Sequence, residues 1–195
     1  MQTEKKSALE ALEKEVSLCR GCSLCQTRTQ TVFGRGNAEA SLLLIGEAPG
    51  ESEDREGKPF VGAAGMLLDH YLAFIGLEEE DYYIANILKC RPPHNRDPKP
   101  EEEEACMPFL RSQVRILNPK IIICLGRIAA QRIISPDFRI TRSHGEWFRR
   151  GGIRVMATFH PSALLRDPSK KEAALDDFKK IAEEFSALQN ETANI

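Results

Sequence analysis

Four short apolar runs constrain this chain more than any other feature: Leu42–Ile45, Tyr82–Ile87, Ile121–Leu125 and Val155–Phe159. Each is rich in β-favouring residues and too short for a helix, and each is followed by helical spacing. Gly65–Ile75 carries Met66, Leu67, Phe74 and Ile75 at suitable positions. Pro100–Leu117 opens on proline and an acidic first turn, as a helix N-terminus prefers. Arg127–Ile134 follows the third run. A last helix is predicted from Ser169, with Glu172 completing a capping box and Ala174, Phe178, Ile181 and Phe185 as its apolar stripe. Ahead of all these, Leu9, Leu12 and Val16 predict a helix over residues 7 to 18. Such alternation predicts an α/β fold, three layers deep, around a central four-stranded, mostly parallel sheet.

A chain of 195 residues suits one domain with a single sizeable core, so 1–195 is read as one unit with an N-terminal arm over 1–40. No apolar run approaches the ~20 residues that span a bilayer, and Met1 to Glu15 is charged, without a signal-peptide core. A cytoplasmic monomer with no membrane association is expected. Net charge is −2, yet Arg111 to Lys171 holds 13 Lys and Arg against 3 Asp and Glu. That asymmetry suits a basic face for a polyanion, or equally a solvated surface.

In open parallel sheets, ligands bind beyond the carboxyl ends of the strands. The unusual residues of this chain stand at those ends: Gly46-Glu47-Ala48-Pro49-Gly50, Asn86, Leu125-Gly126 and His160-Pro161-Ser162. Two long loops also follow strands, Gly57–Gly62 and Arg91–Pro100, the second with the proline and charge of a linker.

Six cysteines in a reducing compartment point to metal before disulfides. Cys19 and Cys22 form a C-x2-C pair, and Cys90 and Cys106 are placed to close a four-sulfur set once the chain folds back. Chemistry alone allows zinc or an iron–sulfur cluster, the wide Cys90–Cys106 spacing tilting towards iron–sulfur. Cys25 competes with Cys22 for a place, and Cys124, inside Ile-Ile-Ile-Cys-Leu, reads as a core thiol.

Three blocks carry a resemblance. Gly46-Glu-Ala-Pro-Gly-Glu-Ser-Glu-Asp-Arg-Glu-Gly-Lys-Pro-Phe-Val-Gly62, Asn86-Ile-Leu-Lys-Cys-Arg-Pro-Pro93 and His160-Pro-Ser-Ala-Leu-Leu-Arg166 resemble the signature motifs of family 4 uracil-DNA glycosylases, in the family's order and spacing. The resemblance runs from Cys19 to the final helix. It implies the uracil-DNA glycosylase fold, a [4Fe–4S] cluster on Cys19, Cys22, Cys90 and Cys106, and hydrolysis of uracil from single- or double-stranded DNA for base excision repair.

Such an enzyme must extrude a base and read it in a closed pocket. The resemblance places Phe60 as stacking face, Asn86 as reader of uracil O4 and N3–H, and His160 as donor to the O2 that gains charge. The Glu47-Ala48 backbone approaches base and water. Glu47 and Glu53 are both candidates to position that water, since Ala48 stands where related glycosylases carry an aspartate; Glu53 also suits a specificity role. Leu164 and Leu165 are placed as a minor-groove wedge, beside Ser162 and Arg166 on phosphates. Lys170 and Lys171 are equally a phosphate site or a solvated helix start. His144 stands where the family often has an arginine, so its role is open. His94 is read as surface, because the arginine-rich insertion of a histidine-trapping relative is absent. Two rivals from other classes are a non-catalytic iron–sulfur DNA-binding module and an electron carrier.

Overall fold

The computed structural model describes residues 2–193. Its order is α1 (Gln2–Ser17), β1 (Arg35–Gly36), β2 (Leu42–Gly46), α2 (Glu51–Glu56), α3 (Ala63–Phe74), β3 (Tyr82–Asn86), α4 (Pro100–Leu117), β4 (Ile121–Leu125), α5 (Arg127–Ile133), α6 (Ile140–Ser143), β5 (Trp147–Arg150), β6 (Ile153–Thr158), α7 (Pro161–Arg166) and α8 (Lys171–Ala193). Short 3-10 turns occupy Ser23–Gln26, Glu79–Asp81, Pro93–Asn95 and Pro168–Lys170.

The four apolar runs are the four central strands, parallel and ordered β3-β2-β4-β6. Every residue of β2, β3 and β4 is buried, as strands covered on both faces must be. Their side chains alternate between two cores. Leu43, Ile45, Tyr83, Ala85, Ile122 and Cys124 pack towards Leu9 and Val16 of α1 and Leu110 and Leu117 of α4. Leu42, Leu44, Tyr82, Ile84, Ile121 and Ile123 pack towards Leu68 and Leu72 of α3 and Phe178 and Ile181 of α8. The result is helix, sheet, helix.

The sheet has six strands rather than the four expected. Short antiparallel strands β1 and β5 close its two edges. Both lack the apolar signature because an edge strand is half solvated: Arg35, Gly36, Arg149 and Arg150 are half-buried or exposed. A second correction concerns the last helix. It begins at Lys171, behind the 3-10 turn Pro168–Lys170, whose cap is Asp167: its carboxylate accepts from Ser169 N–H (3.3 Å) and Oγ–H (2.5 Å). A carboxylate followed by Pro168 outcompetes a serine as the cap.

The N-terminal arm is docked: Leu9, Val16 and Leu24 are buried, and Lys5 donates to the Leu117 carbonyl at 3.0 Å while pairing with Glu39. Nor does Arg91–Pro100 behave as a linker. Arg91 Nε donates to Asn95 Oδ1, and Arg96 pairs with the fully buried Glu102. His94 and Asn95 turn the chain with φ of 57° and 54°, His94 exposed at the tip. No described helix is long and apolar enough to cross a membrane.

Candidate active site and thiol centre

At the carboxyl ends of the parallel strands lies a cavity of about 400 Å³, the size of a small-ligand site. Glu47, Ala48, Glu53, Phe60, Asn86, Phe159, His160, Ser162 and Arg166 are among its lining residues, together with Asp97 and Arg127. Two walls are fixed by continuing the sheet past its end. Gly46 faces Asn86 in register, and the Gly46 and Glu47 carbonyls accept from Ile87 N–H (2.9 Å) and Leu88 N–H (3.0 Å).

Asn86 is 2% exposed, and its Oδ1 has no hydrogen-bond partner. An orphan acceptor in a buried site costs about 1–3 kcal/mol, so the fold holds it for a donor that arrives from outside. A side chain on Gly46 would lie 2.3 Å from that oxygen and 2.9 Å from the Phe60 ring, which is why glycine stands there.

Phe60 sits at φ 54°, a left-handed conformation uncommon for an aromatic residue. Two features hold it. Gly65 lies so close beneath the Phe60 carbonyl that any side chain there would collide with it. Glu53 Oε1 accepts from Val61 and Gly62 N–H, both at 2.9 Å, while Oε2 accepts from Gly50 N–H at 3.1 Å. Both Glu53 oxygens are thus engaged by the backbone that carries the Phe60 loop, whereas Glu47 lines the cavity. The Phe60 ring stands 5.6 Å from that of His160, tilted by 31°.

His160 Nδ1 accepts from Ser162 N–H at 3.2 Å, with Ser162 Oγ at 2.8 Å. A backbone N–H can only donate, so this nitrogen carries no proton and Nε2 does. Burial, with Arg166 adding to it, lowers the His160 pKa to about 4. The ring is therefore a neutral Nε2–H donor at pH 7. Ser162, expected on DNA phosphate, stands two residues after His160 and contacts its ring through both N–H and Oγ.

Burial raises the Glu47 carboxyl to about 7; Asp97 adds to the rise and Arg127 opposes it. Those two form an ion pair at 2.5 Å beside the cavity, and no local motif marks them because they are distant in sequence. A carboxyl raised from 4.5 binds more protons folded than unfolded between pH 4.5 and 7, so its burial penalises stability increasingly across that window. Glu47→Gln is accordingly expected to raise the melting temperature at pH 8 by about 2–4 °C, the shift that ~1 kcal/mol gives in a domain of this size. The gain should vanish below pH 4.5, and melts across pH 4–8 measure it.

The wedge assignment needs correction. Leu164 is fully buried among the α3 and α8 side chains, whereas Leu165 is 44% exposed. On a one-turn helix adjacent residues face apart, so of the two only Leu165 is free to meet a partner outside the core. Lys170 pairs with Asp167 and lies 5.9 Å over the Phe159 ring, and the Lys171 carbonyl accepts from Tyr71 Oη–H at the start of α8. His144 is anchored rather than loose: its Nδ1 lies 2.8 Å from the buried Asp177, which also accepts from Thr158 Oγ at 2.7 Å.

A second pocket gathers Cys19, Cys22, Cys25, Cys90 and Cys106. Its surroundings are cationic and donor-rich. Arg28 Nη1 reaches Cys90 Sγ at 3.1 Å, Lys89 N–H donates to Cys106 Sγ at 3.3 Å, and Gly21 N–H to Cys19 Sγ at 3.4 Å. Among the described residues no three of His, Cys, Asp or Glu are set to hold a single metal ion. Five thiols lining one pocket, with donors aimed at Cys19, Cys90 and Cys106, nevertheless fit a larger thiolate-bound group. Burial holds the Cys22 and Cys90 thiols above their usual range and the Cys106 thiol at about 11, so loading such a group must expel protons. Cys124 is a fully buried core thiol, as expected.

Comparison with known proteins agrees with this architecture. The family model described as "Uracil DNA glycosylase superfamily" matches residues 33–186. The chain is 47% identical over 184 residues to a type-4 uracil-DNA glycosylase of Archaeoglobus fulgidus, covering 90% of this chain and 92% of that one. It is 44% identical to the type-4 uracil-DNA glycosylase of Sulfurisphaera tokodaii (90% and 84% covered) and 42% to that of Thermotoga maritima (90% and 94%). A buried pocket lined by Asn86, Phe60 and His160, a second pocket lined by cysteines and these relatives agree: the chain belongs to the uracil-DNA glycosylase superfamily, among the type-4 uracil-DNA glycosylases.

Proposed function

We propose that this protein is a monofunctional uracil-DNA glycosylase that flips uracil from DNA and hydrolyses its N-glycosidic bond, leaving an abasic site for base excision repair. The observation that carries the proposal is the unpartnered Asn86 Oδ1 in a buried cavity flanked by Phe60 and His160. Uracil offers N3–H to that oxygen and O4 to the amide nitrogen, a match that cytosine reverses. Phe60 supplies the stacking face. As the C1′–N1 bond breaks, the pair of electrons leaves with uracil and charge gathers on O2, where His160 Nε2–H donates. Glu47, with a pKa near the working pH, takes a proton from the water that adds to C1′.

The Cys19, Cys22, Cys90 and Cys106 side chains would hold a [4Fe–4S] cluster, and as its ligands they would tie the 1–40 arm to the segments after β3 and within α4. Those thiolates need a reducing compartment, which supports a cytoplasmic location. Leu165 and Arg166, exposed beside the cavity, suit a wedge and a phosphate contact. Leu165→Ala is expected to slow excision from duplex DNA about tenfold while sparing single strands, because only a duplex requires unstacking. Paired single-turnover assays measure this.

The deciding experiment incubates the protein with a uracil-containing oligonucleotide and then cleaves abasic sites with alkali. Strand scission confined to the uracil position is expected. No scission at any ionic strength would leave a non-catalytic iron–sulfur DNA-binding module.

A further inference from the structure

Lys89 is 1% exposed, yet it forms no ion pair with a carboxylate among the described residues. Its ammonium donates to two neutral acceptors, the Asn86 carbonyl at 2.9 Å and Gln113 Oε1 at 2.5 Å. Gln113, itself fully buried on α4, donates in turn to the Phe33 carbonyl at 3.0 Å. The Lys89 backbone N–H donates to Cys106 Sγ, and Cys90 follows Lys89 in sequence. A buried cation normally needs a counter-charge, because its desolvation costs several kcal/mol. Here the counter-charge at hand is the thiolate set that a bound cluster would create.

We propose that Lys89 is a positioning residue that couples the four-cysteine centre to the base reader. Its ammonium is held by the thiolates' field on one side and clamps the Asn86 backbone on the other, so the carboxamide stays aimed into the cavity. This extends the uracil-glycosylase reading and rests on Asn86 as the base reader. Lys89→Met keeps the length and removes the charge and the donor. With the holoenzyme, free uracil used as a product inhibitor should bind the variant about tenfold more weakly, with iron content unchanged. The cluster's midpoint potential should fall, since a nearby positive charge favours the reduced, more negative state.

An unchanged uracil inhibition constant in an iron-replete Lys89→Met variant overturns the proposal, as does an unchanged potential. If that variant does not accumulate folded, Gln113→Met decides the matter. It keeps the charge but removes one of its anchors, and should weaken uracil inhibition at least threefold; no change overturns the proposal. Failure of the unmutated protein to release or bind uracil would instead sink the glycosylase reading itself.

Discussion

Asn86→Asp is expected to lower uracil excision by about 100-fold or more at pH 8 and to collapse the preference for uracil over cytosine. A site built to hydrogen-bond a specific edge rejects a mismatch by 10⁴–10⁵ at best, because buried polar groups go unpaired. The carboxamide presents an acceptor, Oδ1, which is already orphaned, and an amide donor. An ionised aspartate keeps the acceptor but turns the donor into a second acceptor facing uracil O4. Cytosine's amino group, by contrast, finds a partner there. The buried location raises the new carboxyl's pKa, and its protonated form again offers one donor and one acceptor. The loss should therefore shrink as pH falls to 5. Single-turnover rates on matched uracil and cytosine oligonucleotides at both pH values test this, and an unchanged base preference would remove Asn86 from the reader's role. The clamp on the Asn86 carbonyl is a backbone contact, so this substitution leaves it in place.

How much of this was legible beforehand follows from which forces act locally. The β4 segment Ile121–Leu125 declared itself because a parallel strand buried on both faces is apolar at every position. Arg35–Gly36 and Trp147–Arg150 did not, since their pairing is a property of the neighbouring strand rather than of their own side chains. Helix α2 is six residues with five charges and only Asp54 buried, which leaves no hydrophobic period to read. In the site, strand-end positions marked Asn86 and His160 and the family resemblance marked Phe60, while their geometry did not show in the sequence. Leu164 and Leu165 are identical in type, and only the direction of α7 separates core from wedge. Glu47 and Glu53 are the same residue type six positions apart; what separates them is that three backbone N–H groups engage the Glu53 carboxylate while Glu47 lines the cavity. Pairings such as Lys89 with Gln113, or His144 with Asp177, join residues 24 and 33 apart and have no local signature.

His160→Ala is expected to reduce kcat by 10²–10³, the cost of removing one donor from a site of developing negative charge, with a much smaller change in KM. The argument turns on timing. In the ground state uracil O2 is an ordinary carbonyl, whereas in the transition state it carries much of the leaving anion's charge, so the Nε2–H bond strengthens as the C1′–N1 bond breaks. Neutrality matters as well. With a pKa of about 4, the imidazole is uncharged above pH 5 and its titration contributes no limb to the profile between pH 5 and 9. Glu47 titrates near 7, so excision should rise with pH through that value as the carboxylate forms, and Glu47→Gln should flatten the rise. Sign and site are thus separable: the rise belongs to an acid losing its proton, and a profile falling through pH 7 would contradict it. Ser162→Ala supplies the last control. It removes the hydroxyl 2.8 Å from Nδ1 but keeps the backbone N–H, so the tautomer is retained with a looser ring. A loss of about tenfold in kcat, with the pH profile unchanged, is the expected result. A loss as large as that of His160→Ala would mean that the hydroxyl, rather than the backbone N–H, sets the ring's tautomer.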